Sequence, residues 1–265
     1  MLIDTHCHLD AAEFDGDRDS VARAGPAHDV NVIVVPAVER ENFATVIRLA
    51  ADYPHCAYAL GIHPLFVEAA EPADLAHLET LAAQMSPVAI GEIGLDYFVE
   101  GIDRERQLYF FTEQLKIAKA LELPVILHVR KSVDDILKYL RRYRLVGGIA
   151  HAFNGSRQQA EEFIKLGFKL GFGGAMTYPR ALKIRELAAT LPLESIVLET
   201  DAPDIPPEWL GHQGRNAPHE LARIAEVLAG LRGVNVAEVA DMTTKNAFAA
   251  LPKLAQLYTP PQVSH

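Results

Sequence analysis

The stretch that decides the fold begins with Val88-Ala89-Ile90-Gly91-Glu92-Ile93 and continues through residues 104–121 to Val125-Ile126-Leu127-His128-Val129. Its two short ends are rich in Val, Ile and Leu, which is typical of parallel strands buried on both faces. In the middle, apolar residues recur at spacings of three and four, which predicts a helix over 104–121. Pro124 separates this helix from the second strand, because the residue before a proline avoids the helical conformation. The stretch therefore predicts one strand, helix and strand of a parallel sheet.

The same alternation runs along the whole chain. Eight short apolar runs predict strands at residues 2–6, 32–36, 57–62, 88–93, 125–129, 148–153, 168–173 and 196–201. Eight strands with helical returns favour a single α/β (β/α)8 TIM barrel over an open doubly wound sheet, because open sheets usually have fewer strands and one switch point. An additional helix is predicted at 236–251. We expect one barrel domain over residues 1–258 and a flexible tail over 259–265.

Composition excludes several classes of protein. The chain has 265 residues, of which 49% are hydrophobic and 23% charged, so neither disorder nor a disulfide scaffold is expected. A net charge of -10 provides no broad basic surface for duplex binding, so a nucleic-acid substrate would have to be held locally. The two cysteines, Cys7 and Cys56, form no metal-binding pattern and indicate a reducing compartment. With no signal peptide or long apolar run apparent, we expect a cytoplasmic protein without a membrane segment.

Two histidines near the start of the chain are the first candidates for chemistry. Alternate residues of a strand share one face, so His6 and His8 would project the same way and form a chelating pair. On its own, this spacing is equally compatible with two polar residues at a strand end. The remaining candidates lie at the carboxyl ends of four other predicted strands: Glu92, His128, His151 and Asp201. A barrel brings those ends together at one mouth, which is where barrel enzymes have their active sites.

Four imidazoles and two carboxylates together indicate a metal centre. Taken singly, the histidines could be hydrogen-bonded core residues, Glu92 a helix cap and Asp201 a turn residue. Together they are too many polar groups to leave unpaired in a cleft. Because six ligands exceed one tetrahedral site, we predict two divalent ions that share Glu92. Imidazole-rich ligation favours Zn, Mn or Fe over Mg on affinity, while its abundance could make Mg the working ion. Such a pair suits hydrolysis of esters, especially phosphoesters.

Several motifs resemble one known family across nearly the whole chain. They are Ile3-Asp4-Thr5-His6-Cys7-His8-Leu9-Asp10, Gly61-Ile62-His63-Pro64, Gly91-Glu92-Ile93-Gly94-Leu95-Asp96-Tyr97, Pro124-Val125-Ile126-Leu127-His128 and Glu199-Thr200-Asp201-Ala202-Pro203. The set resembles the TatD-type metal-dependent deoxyribonucleases of the amidohydrolase-like superfamily, and the stretch Gly173-Gly174-Ala175-Met176-Thr177-Tyr178-Pro179-Arg180 is similar to their YjjV-like branch.

The resemblance implies a division of the ligands. One ion would be held by His6, His8, Glu92 and Asp201, and the second by Glu92, His128 and His151. Asp201 would also take a proton from the attacking water. Asp201 and the shared ligand Glu92 are therefore candidate catalytic residues.

Other residues are candidates for substrate contacts. His63 would face the site by the same resemblance, where it could bond a phosphate oxygen or protonate a leaving group, or else simply stabilise its turn. Arginines in loops after the strands could clamp a phosphate, or be ordinary solvated surface; Arg130 and Arg215 are the ones we select. Glu199 could orient a ligand imidazole.

Three functions remain in competition. The first is a two-metal hydrolase that cleaves phosphodiester bonds of DNA. Its action could include 3′-to-5′ exonuclease cleavage of single strands or ends, and we expect the enzyme to be a monomer. The second is an amidohydrolase-like enzyme acting on a small cyclic amide, lactone or phosphoester. Many such amide hydrolases have a carboxylated lysine on the fourth strand, so Glu92 at that place favours phosphoester chemistry. The third is a metal-binding protein without turnover, which closed ligand shells would favour.

Overall fold

A computed structural model describes residues 1–258 as a barrel of parallel strands. The strands are β1 Leu2–Asp4, β2 Val30–Pro36, β3 Cys56–Ala59, β4 Ile90–Asp96, β5 Val125–Arg130, β6 Gly148–Ala150, β7 Phe168–Phe172 and β8 Ile196–Leu198. They form two ladders, β1-β2-β3 and β4-β5-β6-β7-β8, and every pairing is parallel. The tail predicted at 259–265 lies outside the described residues.

Contacts between the two ladders close the sheet. Leu60, just after β3, pairs with Ile90 of β4, and Cys7 pairs with Ala202 beyond β8. The Thr5 amide also donates to the carbonyl of Leu198, at 3.1 Å. The predicted α/β (β/α)8 TIM barrel is therefore confirmed.

The strands are shorter at some mouth positions than the sequence predicts. β6 ends at Ala150 and β8 at Leu198, whereas the sequence predicts strands that continue to residues 153 and 201. The backbone turns left-handed at Ala152 (φ 44°) and Asp201 (φ 57°), a conformation incompatible with a continuous ladder. The first turn follows the candidate ligand His151, and the second is at the candidate ligand Asp201 itself.

Ten helices surround and close the barrel within the described residues. They are α1 Arg18–Ala27, α2 Phe43–Asp52, α3 Pro72–Met85, α4 Arg104–Ala120, α5 Val133–Tyr143, α6 Arg157–Lys165, α7 Leu182–Thr190, α8 Leu221–Arg232, α9 Val236–Ala250 and α10 Pro252–Leu257. The helix predicted at 104–121 is α4, which begins after Asp103, whose carboxylate accepts the Glu105 amide at 2.8 Å. The additional helix predicted at 236–251 is α9. None of the helices in residues 1–258 has the length and apolarity that a bilayer crossing requires.

Two apolar layers hold these elements together. The larger lies between the strands and the surrounding helices. The smaller occupies the barrel interior, where Val32, Val34 and Ile126 pack with Leu251 and Leu254 from the end of the chain. Residues of α9 also bond the amino-terminal side of the strands, since Asn246 Nδ2 donates to the carbonyl of Ile196 at 2.7 Å. Helices α9 and α10 therefore close the floor of the barrel and leave the opposite end open.

Candidate metal centre

The structure brings all six predicted ligands together at the open end of the barrel. His6 and His8 follow β1, Glu92 is in β4, His128 is in β5, His151 follows β6, and Asp201 follows β8. Strand β1 ends before His6, yet the Cys7 bridge to Ala202 keeps the backbone extended. His6 and His8 consequently still face the same way, and their Nε2 atoms are 3.2 Å apart.

Glu92 lies at the centre of the cluster, and its two oxygens face different imidazoles. Oε2 is 3.2 Å from Nε2 of His6 and 3.4 Å from Nε2 of His8. Oε1 is 2.8 Å from Nε2 of His151 and 3.0 Å from Nδ1 of His128. One carboxylate thus separates the histidines into two sets.

Asp201 completes the first set. Its Oδ1 is 3.5 Å from Nε2 of His6 and 3.7 Å from Nε2 of His8. The ligand atoms of these three residues lie within 4.8 Å of one another. Imidazole nitrogen with carboxylate oxygen is a donor set that suits Zn, Mn or Fe, so the residues present fit divalent cations.

Burial makes this cluster electrostatically unusual. Desolvation opposes ionisation of Glu92, but His151, His63 and His6 hold the pKa of its carboxyl well below the usual range. Glu92 is therefore an anion throughout the neutral pH range. A buried anion among imidazoles is a site prepared for positive charge.

His63 joins the second set. Its Nε2 lies 3.3 Å from Oε1 of Glu92, and its ring meets that of His128 edge to face, with centroids 4.3 Å apart. Burial lowers the pKa of His63 to about 4. His63 is thus at the site, as expected from the sequence, as a neutral imidazole beside the candidate ligands.

Asp96 has a role that the sequence reading did not assign. Its Oδ2 lies 2.9 Å from Nε2 of His128, and its Oδ1 accepts the amides of Phe98 and Val99 at 2.8 and 3.0 Å. A carboxylate on the far nitrogen of a ligand imidazole fixes the ring's orientation and tautomer. The even spacing between Asp96 and Glu92 was the available signal, because β4 runs three residues past its predicted end.

Glu199 does not make the close contact to a ligand that its position suggested. Its Oε1 is 3.9 Å from Nδ1 of His151, beyond hydrogen-bond reach, and instead accepts the Ala152 amide. Burial raises the pKa of Glu199 to about 8. Its carboxyl group therefore supports the turn that follows β6.

The two selected arginines lie in different places. Arg130 is exposed and lines the cavity above the cluster. Arg215 is not brought to that cavity, because its Nη1 and Nη2 donate to the carboxylate of Asp17, at 2.8 and 2.6 Å. The carboxylate at the start of α1 thus holds Arg215 in an ion pair that joins two loops, rather than leaving it free for a phosphate.

The cavity itself has a volume of about 970 Å³ and an uneven distribution of charge. Carboxylates line the side formed by the loops after β1, β2 and β8: Asp10, Glu13, Glu39 and Asp204. Among the described residues of this lining, Arg130 is the one lysine or arginine. An anionic ligand is therefore attracted toward the loop after β5.

A parallel barrel with such an imidazole and carboxylate cluster at its mouth has the architecture of metal-dependent hydrolases. Residues 3–252 match the family model described as TatD related DNase. The chain is 45% identical over 252 residues to the metal-dependent hydrolase YjjV of Escherichia coli K12, covering 93% of this chain and 96% of that protein. The crystal structure of YjjV superposes with a TM-score of 0.89 at 43% identity, covering 95% of this chain and 98% of that one.

A human relative carries a more specific name. The chain is 32% identical over 269 residues to deoxyribonuclease TATDN3 of Homo sapiens, covering 97% of this chain and 96% of that protein. The chain therefore belongs to the TatD-related DNase family, and it is a metal-dependent hydrolase. The family resemblance inferred from the motifs is confirmed.

Proposed function

We propose that this protein is a two-metal phosphodiesterase that hydrolyses DNA, working from the 3′ end of single strands or frayed ends. The observation that carries the proposal is the Glu92 carboxylate, whose oxygens face His6 and His8 on one side and His128 and His151 on the other. Two divalent ions bound there would stabilise the attacking and leaving oxygens of an in-line displacement.

The residues of the chain would divide the work between binding and proton transfer. His6, His8, Glu92 and Asp201 would hold one ion, and Glu92, His128 and His151 the other. Asp201 lines the open cavity, so its carboxylate is available to accept the proton of the attacking water. Neutral His63 can donate a hydrogen bond to a phosphate oxygen.

Charge and shape support a DNA end as the substrate. The net charge of -10 disfavours a duplex lying along the surface, and Arg130 offers a local phosphate contact at the mouth. The name deoxyribonuclease on a relative that spans nearly the whole chain supports the same substrate class.

Two buried free thiols, Cys7 and Cys56, are consistent with a cytoplasmic protein. We propose that it acts as a monomer.

The test is a substrate screen of the metal-free protein reconstituted separately with Zn, Mn or Mg. The substrates are 5′-labelled single-stranded DNA, duplex DNA, RNA, bis-p-nitrophenyl phosphate and dihydroorotate. We expect progressive shortening of the single-stranded DNA, lost in Glu92→Gln and retained in Glu226→Gln, an exposed glutamate on α8. Turnover of dihydroorotate without any DNA cleavage would contradict the proposal and favour the cyclic-amide alternative.

A further inference from the structure

A second cavity adjoins the candidate metal centre. Its volume is about 740 Å³, and it lies between the loop after β4 and the start of α5. Val129, Arg130 and Asn154 line both this groove and the metal-centre cavity. The two cavities are therefore neighbours, and a chain molecule with one bond at the metal centre lies close enough to extend into the groove.

An exposed aromatic ring lies in this groove. Phe98 is 48% exposed, although its ring could bury considerable apolar area. The guanidinium of Arg130 lies 3.9 Å from the ring centroid, and Nζ of Lys131 lies 4.6 Å from it. Both cations are on exposed side chains, so they can turn toward a ligand while the ring receives a flat group.

Asp96 fixes the position of this ring relative to the metal centre. One oxygen of its carboxylate holds the amides of Phe98 and Val99, and the other holds Nε2 of His128. A single buried side chain therefore connects the loop that carries the ring to a candidate metal ligand. Such a short connection keeps the distance between the two sites constant, as a subsite for a neighbouring substrate unit requires.

The charges of the mouth select the direction in which an anionic chain leaves. The opposite side of the metal-centre cavity is lined by Asp10, Glu13, Glu39 and Asp204, whereas Arg130 and Lys131 are on the groove side. Two carboxylates also line the groove, but each already accepts a hydrogen bond: Asp134 from Gln159 at 3.0 Å and Asp135 from Tyr97 at 2.9 Å. Because cations and carboxylates balance there, binding in the groove depends mainly on the aromatic face.

We propose that the groove binds the nucleotide next to the scissile bond of single-stranded DNA, with its base stacked on Phe98 and its phosphate at Arg130 and Lys131. This inference rests on the proposed function and adds a subsite to it. A base has a free face for stacking only when it is not inside a duplex, so the subsite selects single strands. Every base presents such a face, so the groove distinguishes strandedness rather than sequence.

The test compares three substitutions of the ring on two substrates. Phe98→Ala and Phe98→Leu should raise KM for a short single-stranded oligonucleotide by about 5- to 150-fold, the usual contribution of one stacked base. Phe98→Tyr should keep the low KM of the unsubstituted enzyme, because tyrosine retains the aromatic face. The rate on bis-p-nitrophenyl phosphate, which is too small to reach the groove, should stay constant in all three. Tyr109→Ala is the matched control, because Tyr109 is 44% exposed and lines neither cavity.

The outcomes separate this inference from the proposed function. If the unsubstituted enzyme cleaves the oligonucleotide and Phe98→Ala keeps its KM, the subsite is refuted and the nuclease function stands. Equal KM values for Phe98→Leu and Phe98→Tyr would also refute stacking, since apolar bulk would then suffice. If the unsubstituted enzyme hydrolyses bis-p-nitrophenyl phosphate but not DNA, both proposals fail.

Discussion

The two ends of the barrel contrast in composition although the same strands form both. At the floor, Val32, Val34 and Ile126 pack on Leu251 and Leu254 without a polar group among them. At the mouth, by contrast, buried positions are occupied by histidines and carboxylates such as His6, Glu92 and Asp201. Burying apolar area stabilises the fold, whereas burying ionisable groups opposes folding unless they are paired or bind a cation.

The contrast indicates that stability and activity are assigned to opposite ends of the same barrel. Substitutions at the mouth should remove function while the fold persists. Substitutions at the floor should lower stability while the folded molecules keep their activity.

The largest expected effect is that of Glu92→Gln at the mouth. Loss of the shared anion should lower kcat by at least about 1000-fold, since ion-mediated stabilisation of a transition state is worth several kcal/mol and 1.36 kcal/mol is a factor of ten. Circular dichroism of the metal-free variant should match that of the metal-free parent. Unfolding of the variant instead would show that the mouth also supports the fold.

The second expected effect lies at the floor. Leu254 is fully buried, so Leu254→Ala should lower the free energy of unfolding by about 2–5 kcal/mol in denaturant titrations. The activity of the remaining folded protein should not change. Leu257→Ala is the control on the same helix; because Leu257 is 64% exposed, its effect should stay within about 0.5 kcal/mol. Equal losses in the two variants would show that the floor does not carry the stability assigned to it.

Removal of the metal should lower the thermal stability of the protein through the candidate ligands at the mouth. A cation that binds only the folded state stabilises it by about 2.7 kcal/mol at 100 times its dissociation constant, so chelation should lower Tm and re-addition should restore it. The difference in Tm between the metal-bound and metal-free forms should be the same in Leu254→Ala as in the unsubstituted protein. In Glu92→Gln this difference should be much smaller. A shift that survives in Glu92→Gln would place the stabilising cation elsewhere.

A smaller effect is expected from the residue that supports a ligand. Asp96→Asn should lower metal affinity or activity by about 10- to 100-fold, because the carboxylate that orients His128 is lost. Metal titration monitored by activity measures this change. Asp241→Asn, at an exposed aspartate of α9, should have no effect. If Asp96→Asn were equally silent, His128 would not depend on this support.

The sequence predicts the barrel and the convergence of the candidate ligands because both depend on local patterns. Strand runs such as 125–129 are recognisable from their apolar residues, and parallel strands of a barrel must bring His128 and Glu92 to one end. The pairing of Arg215 with Asp17 was not predictable, because these residues are far apart in the chain and meet only through two loop conformations. The exposed ring of Phe98 was missed for the same reason, since its neighbours Arg130 and Lys131 come from another strand.

Some boundaries also depend on the tertiary structure. The apolar run after Ala150 reads as a continuing strand, yet the backbone turns left-handed at Ala152, where the Glu199 carboxylate accepts its amide. Helix α10 was not predicted, although Pro252 at its first turn was a local signal.

The most direct test of the central claim is an anomalous-diffraction experiment on crystals grown with Mn or Zn, together with metal analysis of the dissolved protein. The account predicts two ions per chain, about 3.5–4 Å apart, with one oxygen of Glu92 on each. The first should contact His6, His8 and Asp201, and the second His128 and His151. A single ion under metal-replete conditions, or two ions that do not share Glu92, would contradict it.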